Sequence, residues 1–405
     1  MEIGPDRGSI LGFCDEKFQP LLDAFARNFR DLEEQGASVC LNVEGETVVD
    51  LWGGRLHPKQ DGFWEEDTVS IVHSVTKAAV SLCAHLLVDE GKLALHAKVT
   101  DYWPEFAAAG KEDITVEMML NHSAGLPALR EPLKEGGFLD WDYMVGRLAA
   151  EEPFWKPGTR HGYHMTTYGW TVGELIRRAS GMSLGEFFRQ RVTEPLGIDF
   201  HIGMPTSEHH RVSRMMRWAP KKGDPVSPFT VALLNDRNSL QAKALFNNGG
   251  HRTDAAESYA AEYGAAGGIT NARGIAGMYR PLANGGDGMI DPITIERMAS
   301  VSVAGGEDTT LLSPTRFSLG FMLSMDNRYR PTGSLETIIL GRQAFGHAGA
   351  GGSVGFADTE CHLGFGYSMN RMGAGILLNK RGQSLVDFAY RCLGYSTDEP
   401  GFWVR

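Results

Sequence analysis

Strand-rich segments at both ends of the sequence enclose a long, mainly helical middle, and this distribution constrains the fold more than any other feature. A helix and a hairpin are predicted near the start, and strands with a last helix after about residue 300. Such segregation is typical of an α/β fold in which helices flank an antiparallel sheet. We therefore predict a discontinuous α/β domain (residues 1–95 and 300–405), an inserted mostly helical domain (96–299), and an active site between them.

The first part of the chain predicts an amphipathic helix followed by a β-hairpin. Apolar residues recur at helical spacing over residues 17 to 35, and Gly36 follows them. Residues 37 to 43 and 47 to 52 are strand-like and flank the short turn Glu44-Gly45-Glu46. We expect the helix to cover one face of the sheet to which the hairpin belongs.

Helices are predicted through the middle of the chain, and strands return towards its end. The predicted helices are residues 114–120, 141–149, 167–178, 184–192 and 267–283. Residues 203 to 266 show no steady period, and we expect loops and short helices there that overhang a pocket. The predicted later strands are residues 317–322, 345–349, 352–356, 363–369 and 375–378, with a helix over 384–391.

Ser74-Val75-Thr76-Lys77 precedes a run, residues 78 to 88, that is apolar on most faces. Such a run is typical of a buried helix, and residues three apart on a helix share a face. Loss of hydration favours a neutral Lys77 amine, which would be a base beside the Ser74 hydroxyl. Alone the motif is weak, because about one S-x-x-K is expected by chance in such a chain, and both residues would then be ordinary parts of a first helical turn.

Two further segments carry candidate functional residues. Tyr163 lies on a loop ahead of a helix, where a tyrosine relays protons if neighbouring cations lower its pKa, although spacing alone favours a tyrosine that only packs at a helix start. His347 lies in a stretch of small residues, 346 to 355, whose strand edge leaves room for a substrate. His347 is either a buried core histidine, as a lone His usually is, or a pocket residue beside Tyr163.

In this order the three groups resemble the serine β-lactamase and penicillin-recognising superfamily, most closely class C β-lactamases and the family VIII carboxylesterases built on that fold. Ser74-Val75-Thr76-Lys77 matches S-x-x-K, and Tyr163-His164-Met165 stands where Y-x-N is found. His347-Ala348-Gly349 stands where K-T-G, or H-x-G in esterases, is found, and residues 122 to 127 are similar to another family segment. The resemblance covers residues 15 to 395 and implies a β-lactamase-like fold.

The resemblance also implies a role for each of these residues. Ser74 is the nucleophile, Lys77 is its base or hydrogen-bond partner, and Tyr163 relays protons to the leaving group and later to water. The backbone N–H groups of Ser74 and Ala350 would form the oxyanion hole. The sequence leaves open which of Lys77 and Tyr163 takes the first proton.

Two of the four expected substrate-binding residues, which include Ala348 and Gly349, depart from the family pattern. Met165 replaces an Asn that helps hold a β-lactam amide, and His347, a weaker and pH-dependent cation, replaces a Lys that helps hold the substrate carboxylate. Both changes disfavour penicillins and D-alanyl peptides and are compatible with neutral esters. We expect hydrolysis of short-chain carboxylic esters through an acyl-enzyme, with a class C-like β-lactamase or D-amino-acid peptidase as the alternative.

An α/β-hydrolase is the competing enzyme class, because G-x-S-x-G occurs at residues 181–185 and 351–355. That motif needs a strand before its serine and a helix after it. Ser183 is instead placed to cap a helix, and Ser353 is followed by another strand. Neither copy therefore has the strand and helix that the motif requires around its serine.

A binding module that has lost its chemistry is the non-enzyme alternative, and the joint presence of Ser74, Lys77 and Tyr163 argues against it. A metal site is also disfavoured, since the 13 His, among them His209-His210, show no ligand spacing such as H-E-x-x-H. We predict neither a metal nor a cofactor.

Charge and cysteine usage narrow the partners and the compartment. The chain of 405 residues has a formal net charge of -11 and no basic stripe, which argues against nucleic acid and against an anionic membrane surface. We see no membrane span and no secretory signal in it. Five scattered cysteines without C-x-x-C spacing fit reduced thiols in a cytoplasm. The expected partner is a small-molecule ester.

Replacement of Ser74 tests the assignment of the nucleophile. Ser74→Ala is expected to abolish hydrolysis of p-nitrophenyl acetate, because only Ser74 has a base one helical turn away. Ser183→Ala and Ser353→Ala are the control variants, and both should keep most of the activity. Loss of activity in Ser353→Ala with retention in Ser74→Ala would overturn the assignment.

Overall fold

The computed structural model describes residues 1–4, 7–219, 226–327 and 337–405. Within these residues the strands are β1 (Glu2–Gly4), β2 (Gly8–Cys14), β3 (Gly36–Val43), β4 (Glu46–Gly54), β5 (Ser70–Ile71), β6 (Phe200–His201), β7 (Ile269–Thr270), β8 (Val303–Gly305), β9 (Thr315–Phe317), β10 (Met322–Leu323), β11 (Ala344–Ala348), β12 (Val354–Asp358) and β13 (Leu363–Met369).

The α-helices of the described residues are α1 (Gln19–Asp31), α2 (Val75–Asp89), α3 (Val116–Leu120), α4 (Trp141–Ala150), α5 (Tyr168–Ser180), α6 (Leu184–Phe188), α7 (Glu194–Leu196), α8 (Pro228–Asn235), α9 (Leu240–Phe246), α10 (Ala256–Ala260), α11 (Ala272–Ala283), α12 (Pro292–Ala299) and α13 (Lys380–Cys392). Short 3-10 segments (Glu16–Phe18, Val99–Asp101, Pro104–Gly110, Gly137–Leu139 and Thr206–Arg211) and a π-helical turn (Arg189–Thr193) join them.

One large antiparallel sheet organises the fold. Its ten strands follow the order β1-β2-β4-β3-β13-β12-β11-β10-β9-β8, and β5-β7-β6 form a small second sheet. Strand β13 lies between β3 and β12, so the two ends of the sequence are joined by a continuous ladder from Leu363–Val43 to Met369–Ala37. The structure confirms the predicted antiparallel sheet flanked by helices.

Helices cover both faces of this sheet. On one face, α1 and α13 pack together, and Phe25 and Phe29 of α1 join the apolar core formed by the sheet. On the other face lies α11, whose Ala272 and Ala276 contact Cys40 of β3. The apolar stripe of α1 ends before Gly36, as the sequence predicts, because β3 begins there.

Helices α3, α4, α5 and α6 pack together and form the helical layer. Helix α2 lies where this layer meets the sheet. It packs against α5 and α6 on one side and against β11 on the other. Every residue from Val75 to Leu87 is buried, which confirms the helix that the apolar run predicts. No helix among the described residues combines the length and apolarity needed to cross a membrane.

Glycines in β13 allow α11 to lie close to the sheet. A Cβ atom added to Gly366 would lie 2.3 Å from the Ala272 carbonyl oxygen, whereas one added to Gly364 would lie 3.1 Å from its nearest neighbours. Helix α11 therefore packs on the sheet, although residues 272–283 fall within the segment predicted as the helical domain. The division at residues 95 and 300 stays a prediction.

Some predicted elements differ from the structure. The strand expected over residues 317–322 is two short strands, because Gly320 (φ 96°) makes a turn that folds Met322 back opposite Phe317. The strand expected over 375–378 is wrong: Gly375 has a φ of 92°, and Leu378 makes only an isolated bridge to Thr337. Short helices and loops do occupy residues 203–266, of which 220–225 lie outside the described residues.

We predict that Gly366→Ala destabilises the fold more than Gly364→Ala does. The added methyl group must displace α11 backbone at 366, which typically costs about 1–3 kcal/mol, whereas at 364 a small adjustment suffices. The free energy of unfolding from urea titration measures both effects. Equal losses at the two positions would contradict this account of how α11 packs.

Candidate active site

Ser74 and Lys77 meet at the first turn of α2. Ser74 caps the helix with helical backbone angles, and Lys77 follows one turn later. The Lys77 Nζ atom lies 3.1 Å from Ser74 Oγ. Ser74 is 6% exposed and Lys77 is completely buried. The nucleophile candidate therefore sits at the edge of solvent with an amine behind it.

The Lys77 amine is enclosed by backbone carbonyl groups. Its Nζ donates to the carbonyl oxygens of Met165 and Ala265, each at 2.8 Å. Burial lowers the pKa of Lys77 well below its usual value, because the charged form loses its hydration. This environment favours a neutral amine beside the Ser74 hydroxyl.

The residue before Ser74 has a strained backbone. His73 is partly buried and has a φ of 46°, a conformation that costs about 1–3 kcal/mol for a residue other than glycine. Its carbonyl accepts a hydrogen bond from Thr76 Oγ1 at 2.5 Å, and Thr76 Oγ1 accepts one from Gly268 N at 2.8 Å. These bonds fix the turn that delivers Ser74 to the start of the helix.

Tyr163 lies beside this pair. Its side chain is completely buried, and Lys77 Nζ is 4.8 Å from the centre of its ring. Burial raises the pKa of Tyr163, which is the opposite of the lowering that we expect from neighbouring cations. The Tyr163 hydroxyl has no hydrogen-bond partner among the described residues. The nearby Ser74 hydroxyl lowers the pKa of Tyr163, but less than burial raises it. Tyr163 is thus a neutral phenol at rest.

His347 is buried beside Tyr163. The two ring centres are 5.9 Å apart, and His347 Nδ1 lies 2.7 Å from the Ala348 carbonyl oxygen. Burial, which removes the hydration of the charged ring, lowers the pKa of His347 to about 3. The expectation of a pH-dependent cation here is therefore wrong, because the ring stays neutral over the ordinary pH range.

The loop after β11 lies against the segment that leads into Ser74 and carries a free backbone N–H at Ala350. Among the described residues, neither the Ser74 nor the Ala350 N–H donates a hydrogen bond. Gly349 N donates to the Ser353 carbonyl at 2.7 Å, and Ser353 Oγ donates to the Val72 carbonyl at 2.9 Å. Ser353 thereby holds the loop against the segment that leads into Ser74, so Ser353→Ala is a less neutral control than the sequence suggests.

Close packing leaves little freedom in this loop. A Cβ atom on Gly349 would lie 2.3 Å from the Val72 oxygen. Asn379, which caps α13, donates to the Gly351 carbonyl at 2.7 Å. Ala348 and Gly349 are buried and Ala350 is partly exposed, so Ala350 is the residue of these three that is open to a substrate.

Met165 contributes an apolar wall. Its carbonyl binds Lys77, and its side chain is 8% exposed and belongs to the same apolar cluster as Met215, Phe229 and Tyr163. The position that carries an Asn in the resembling family is therefore apolar here and has no side-chain amide for a substrate.

Two residues that hold Tyr163 have no assigned role in the sequence analysis. The Asp308 carboxylate accepts the Tyr163 backbone N–H. His122, with a φ of 66°, accepts Gly162 N at its carbonyl (3.1 Å) and His164 N at Nδ1 (3.2 Å). His122 lies in a segment that resembles the family, whereas Asp308 stands alone in an irregular Gly-rich stretch and carries no sequence signal.

Two cavities lie away from Ser74, and the described residues show no metal-binding cluster. Two cavities of about 280 and 320 Å³ have Tyr263 and Tyr259 among their walls, and neither is lined by Ser74, Lys77 or Tyr163. Within the described ranges, no three His, Cys, Asp or Glu side chains are grouped to hold a metal ion.

Comparison with known proteins gives consistent relatives. The family model described as Beta-lactamase matches residues 25–384. The esterase/beta-lactamase LipL of Mycobacterium tuberculosis is 32% identical over 383 residues, covering 91% of this chain and 85% of that protein. The structure of a family VIII carboxylesterase is 39% identical with a TM-score of 0.81, and that of a penicillin-binding protein homolog from Caulobacter crescentus is 35% identical with a TM-score of 0.83. Each covers 95% of this chain and 100% of the other.

The buried amine predicts a pH dependence of stability. The unfolded chain protonates Lys77 below about pH 10.5, whereas the folded protein does not until the pH falls to the lowered pKa. The contribution of Lys77 to the free energy of unfolding therefore rises with pH, by about 1.4 kcal/mol per pH unit, between the lowered pKa of the folded protein and about pH 10.5. We expect the free energy of unfolding of the wild type, minus that of Lys77→Met, to increase over this window. Parallel curves would show that folded Lys77 keeps its proton.

Proposed function

The chain belongs to the Beta-lactamase family, and from this premise we propose that it is a serine hydrolase that cleaves short-chain carboxylic esters through an acyl-enzyme on Ser74. At the level of the family, its relatives support a serine ester hydrolase. The observation that carries the proposal is the buried Lys77 amine 3.1 Å from Ser74 Oγ. It supplies a base where the nucleophile needs one.

Lys77 is the acylation base in this proposal. A neutral amine has two N–H bonds and one lone pair. The carbonyls of Met165 and Ala265 accept hydrogen bonds only, so they take the two N–H bonds. The lone pair is left for the Ser74 hydroxyl. This arrangement favours Lys77 over Tyr163 for the first proton.

Acylation then proceeds by attack of Ser74 Oγ on the ester carbonyl carbon, while its proton passes to Lys77. The charge that develops on the carbonyl oxygen is stabilised by the Ser74 and Ala350 N–H groups, two fixed dipoles that no described residue uses. When the tetrahedral intermediate collapses, the C–O bond to the alcohol breaks. Tyr163, a neutral phenol, passes a proton to the departing alkoxide and is reprotonated from Lys77.

Deacylation repeats these steps with water. Tyr163 passes its own proton to Lys77 as it takes one from the attacking water. The ester bond to Ser74 then breaks, and Ser74 Oγ recovers a proton from Lys77. The same two N–H groups stabilise the second intermediate. The products are the free acid and the enzyme in its starting state.

The substrate class follows from what surrounds Ser74. A neutral ester needs only the nucleophile, the proton relay and the oxyanion hole. A β-lactam also brings a carboxylate and a side-chain amide, opposite which this chain has a neutral His347 and an apolar Met165. A class C-like β-lactamase or a D-amino-acid peptidase remains the second candidate, because the M. tuberculosis relative is called both an esterase and a β-lactamase.

We also propose a cytoplasmic enzyme without a metal or cofactor that binds neither nucleic acid nor membranes. The proposal rests on the net charge of -11 and on the thiols of Cys14, Cys40, Cys83, Cys361 and Cys392, all of them free.

The substrate class is tested by steady-state kinetics on one preparation at one pH. We expect kcat/KM for p-nitrophenyl acetate or butyrate to exceed that for a chromogenic cephalosporin at least about a hundredfold, since each missing charge-assisted contact is worth about 1.5–3 kcal/mol. Ser74→Ala is the control for uncatalysed hydrolysis. Efficient cephalosporin turnover with negligible ester hydrolysis would favour the lactamase instead.

A further inference from the structure

We infer that Asp308 is a positioning residue for the reaction: its buried carboxylate ties Tyr163 to the sheet and so fixes the proton relay. The relay is fixed relative to the loop after β11 that carries the Ala350 N–H, the oxyanion loop. The inference rests on the proposed function, because Tyr163 is given its role there. Asp308 lies between β8 and β9, far in sequence from Ser74 and from Tyr163. It touches no reacting atom and acts only through Tyr163.

The Asp308 carboxylate is surrounded by hydrogen-bond donors. Its side chain is completely buried. Oδ1 accepts from Tyr163 N at 3.0 Å, Thr310 N at 2.9 Å and Leu311 N at 2.8 Å. Oδ2 accepts from Tyr163 N at 3.1 Å and from Thr315 Oγ1 at 3.1 Å. A buried carboxylate is tolerated only when donors replace its lost hydration, and four groups do so here.

Bonds to Thr310 and Leu311 alone would describe an ordinary loop in which an Asp side chain caps its own turn. The bond that goes beyond such a loop is the one to Tyr163 N, which both carboxylate oxygens share. It joins the segment after β8 to a residue 145 positions earlier in the sequence. The loop is therefore built around the Tyr163 backbone as well as around itself.

The same hairpin holds the Tyr163 ring. Phe317 of β9 lies parallel to it, with ring centres 6.0 Å apart and planes 2° apart. From Phe317 the sheet continues through Met322 of β10 to Gly346 of β11, the strand that leads to Ala350. Tyr163 is thus fixed at its backbone and at its ring to the strands that position the oxyanion loop.

The opposite side of the Tyr163 segment is held by the helical layer. His122 accepts Gly162 N and His164 N, so three successive N–H groups bind to two fixed residues. Lys77 Nζ donates to the carbonyl oxygen of Met165, two residues after Tyr163. Loss of Asp308 would leave Tyr163 held from one layer only, and a shift of about 1 Å in a relay can cost about a hundredfold in rate.

Asparagine is the informative replacement, because it keeps the size of the side chain but turns one acceptor into a donor. The amide nitrogen of the new side chain must then face N–H or O–H donors, from which it cannot accept a hydrogen bond. For Asp308→Asn we expect kcat for p-nitrophenyl butyrate to fall at least about tenfold, with KM within about threefold of the wild type, because a displaced relay slows the chemical steps more than it weakens binding.

Asp358→Asn is the matched control. Asp358 is also completely buried, and it accepts the Tyr390 hydroxyl at 2.7 Å and Glu360 N at 2.9 Å. It lies at the end of β12 remote from the oxyanion loop. We expect this variant to lower Tm but to keep kcat within about twofold when both proteins are assayed folded.

The experiment measures kcat, KM and Tm for both variants, together with the rate at which a fluorophosphonate probe labels Ser74. A normal kcat in Asp308→Asn, or an equal loss of kcat in Asp358→Asn, would overturn the inference, since Asp308 would then act through stability alone. If the wild type hydrolyses no ester, the proposed substrate is wrong, and the labelling rate decides instead. Labelling of Asp308→Asn at least about tenfold slower than that of Asp358→Asn then supports the inference, and equal rates refute it.

Discussion

The removal of one amine from water is the constraint on which the site depends. Lys77 is held in a completely buried position by two carbonyl groups and the Ser74 hydroxyl. Its low pKa is a direct result of that burial. In the proposed mechanism the apolar character of α2 on nearly every face is therefore part of the chemistry, because a helix with a polar face would admit water and restore the charge.

The remaining groups are held by the two layers that meet at α2. The helical layer contributes His122, which holds the segment of Tyr163, while the sheet contributes Asp308, Phe317 and the loop of Ala350. Val72 connects these parts, since its carbonyl accepts from both Val75 N and Ser353 Oγ. Because of this convergence, we expect substitution to be costly even at residues that touch no substrate.

Local patterns predicted much of this architecture. The hairpin around Gly45, the buried helix after Ser74 and the strand over residues 363–369 follow from turn chemistry and apolar runs. Two short strands interrupted at Gly320, the false strand near Gly375 and the packing of α11 on the sheet depend on partners distant in sequence. Asp308 was missed for the same reason, because a single carboxylate acquires its meaning only from the N–H groups that the fold brings around it. The neutrality of His347 likewise reflects burial, which a motif does not reveal.

The central position of β13 has a consequence for biosynthesis. Strand β3 is synthesised early, yet one of its edges is paired only by β13, whose residues 363–369 emerge more than 300 residues later. At translation rates of about 5–20 residues per second, that edge stays open for on the order of tens of seconds. During this time the nascent chain offers unpaired N–H and C=O groups to any other strand. While it is bound to the ribosome, the chain is thus exposed to mispairing at this edge of β3.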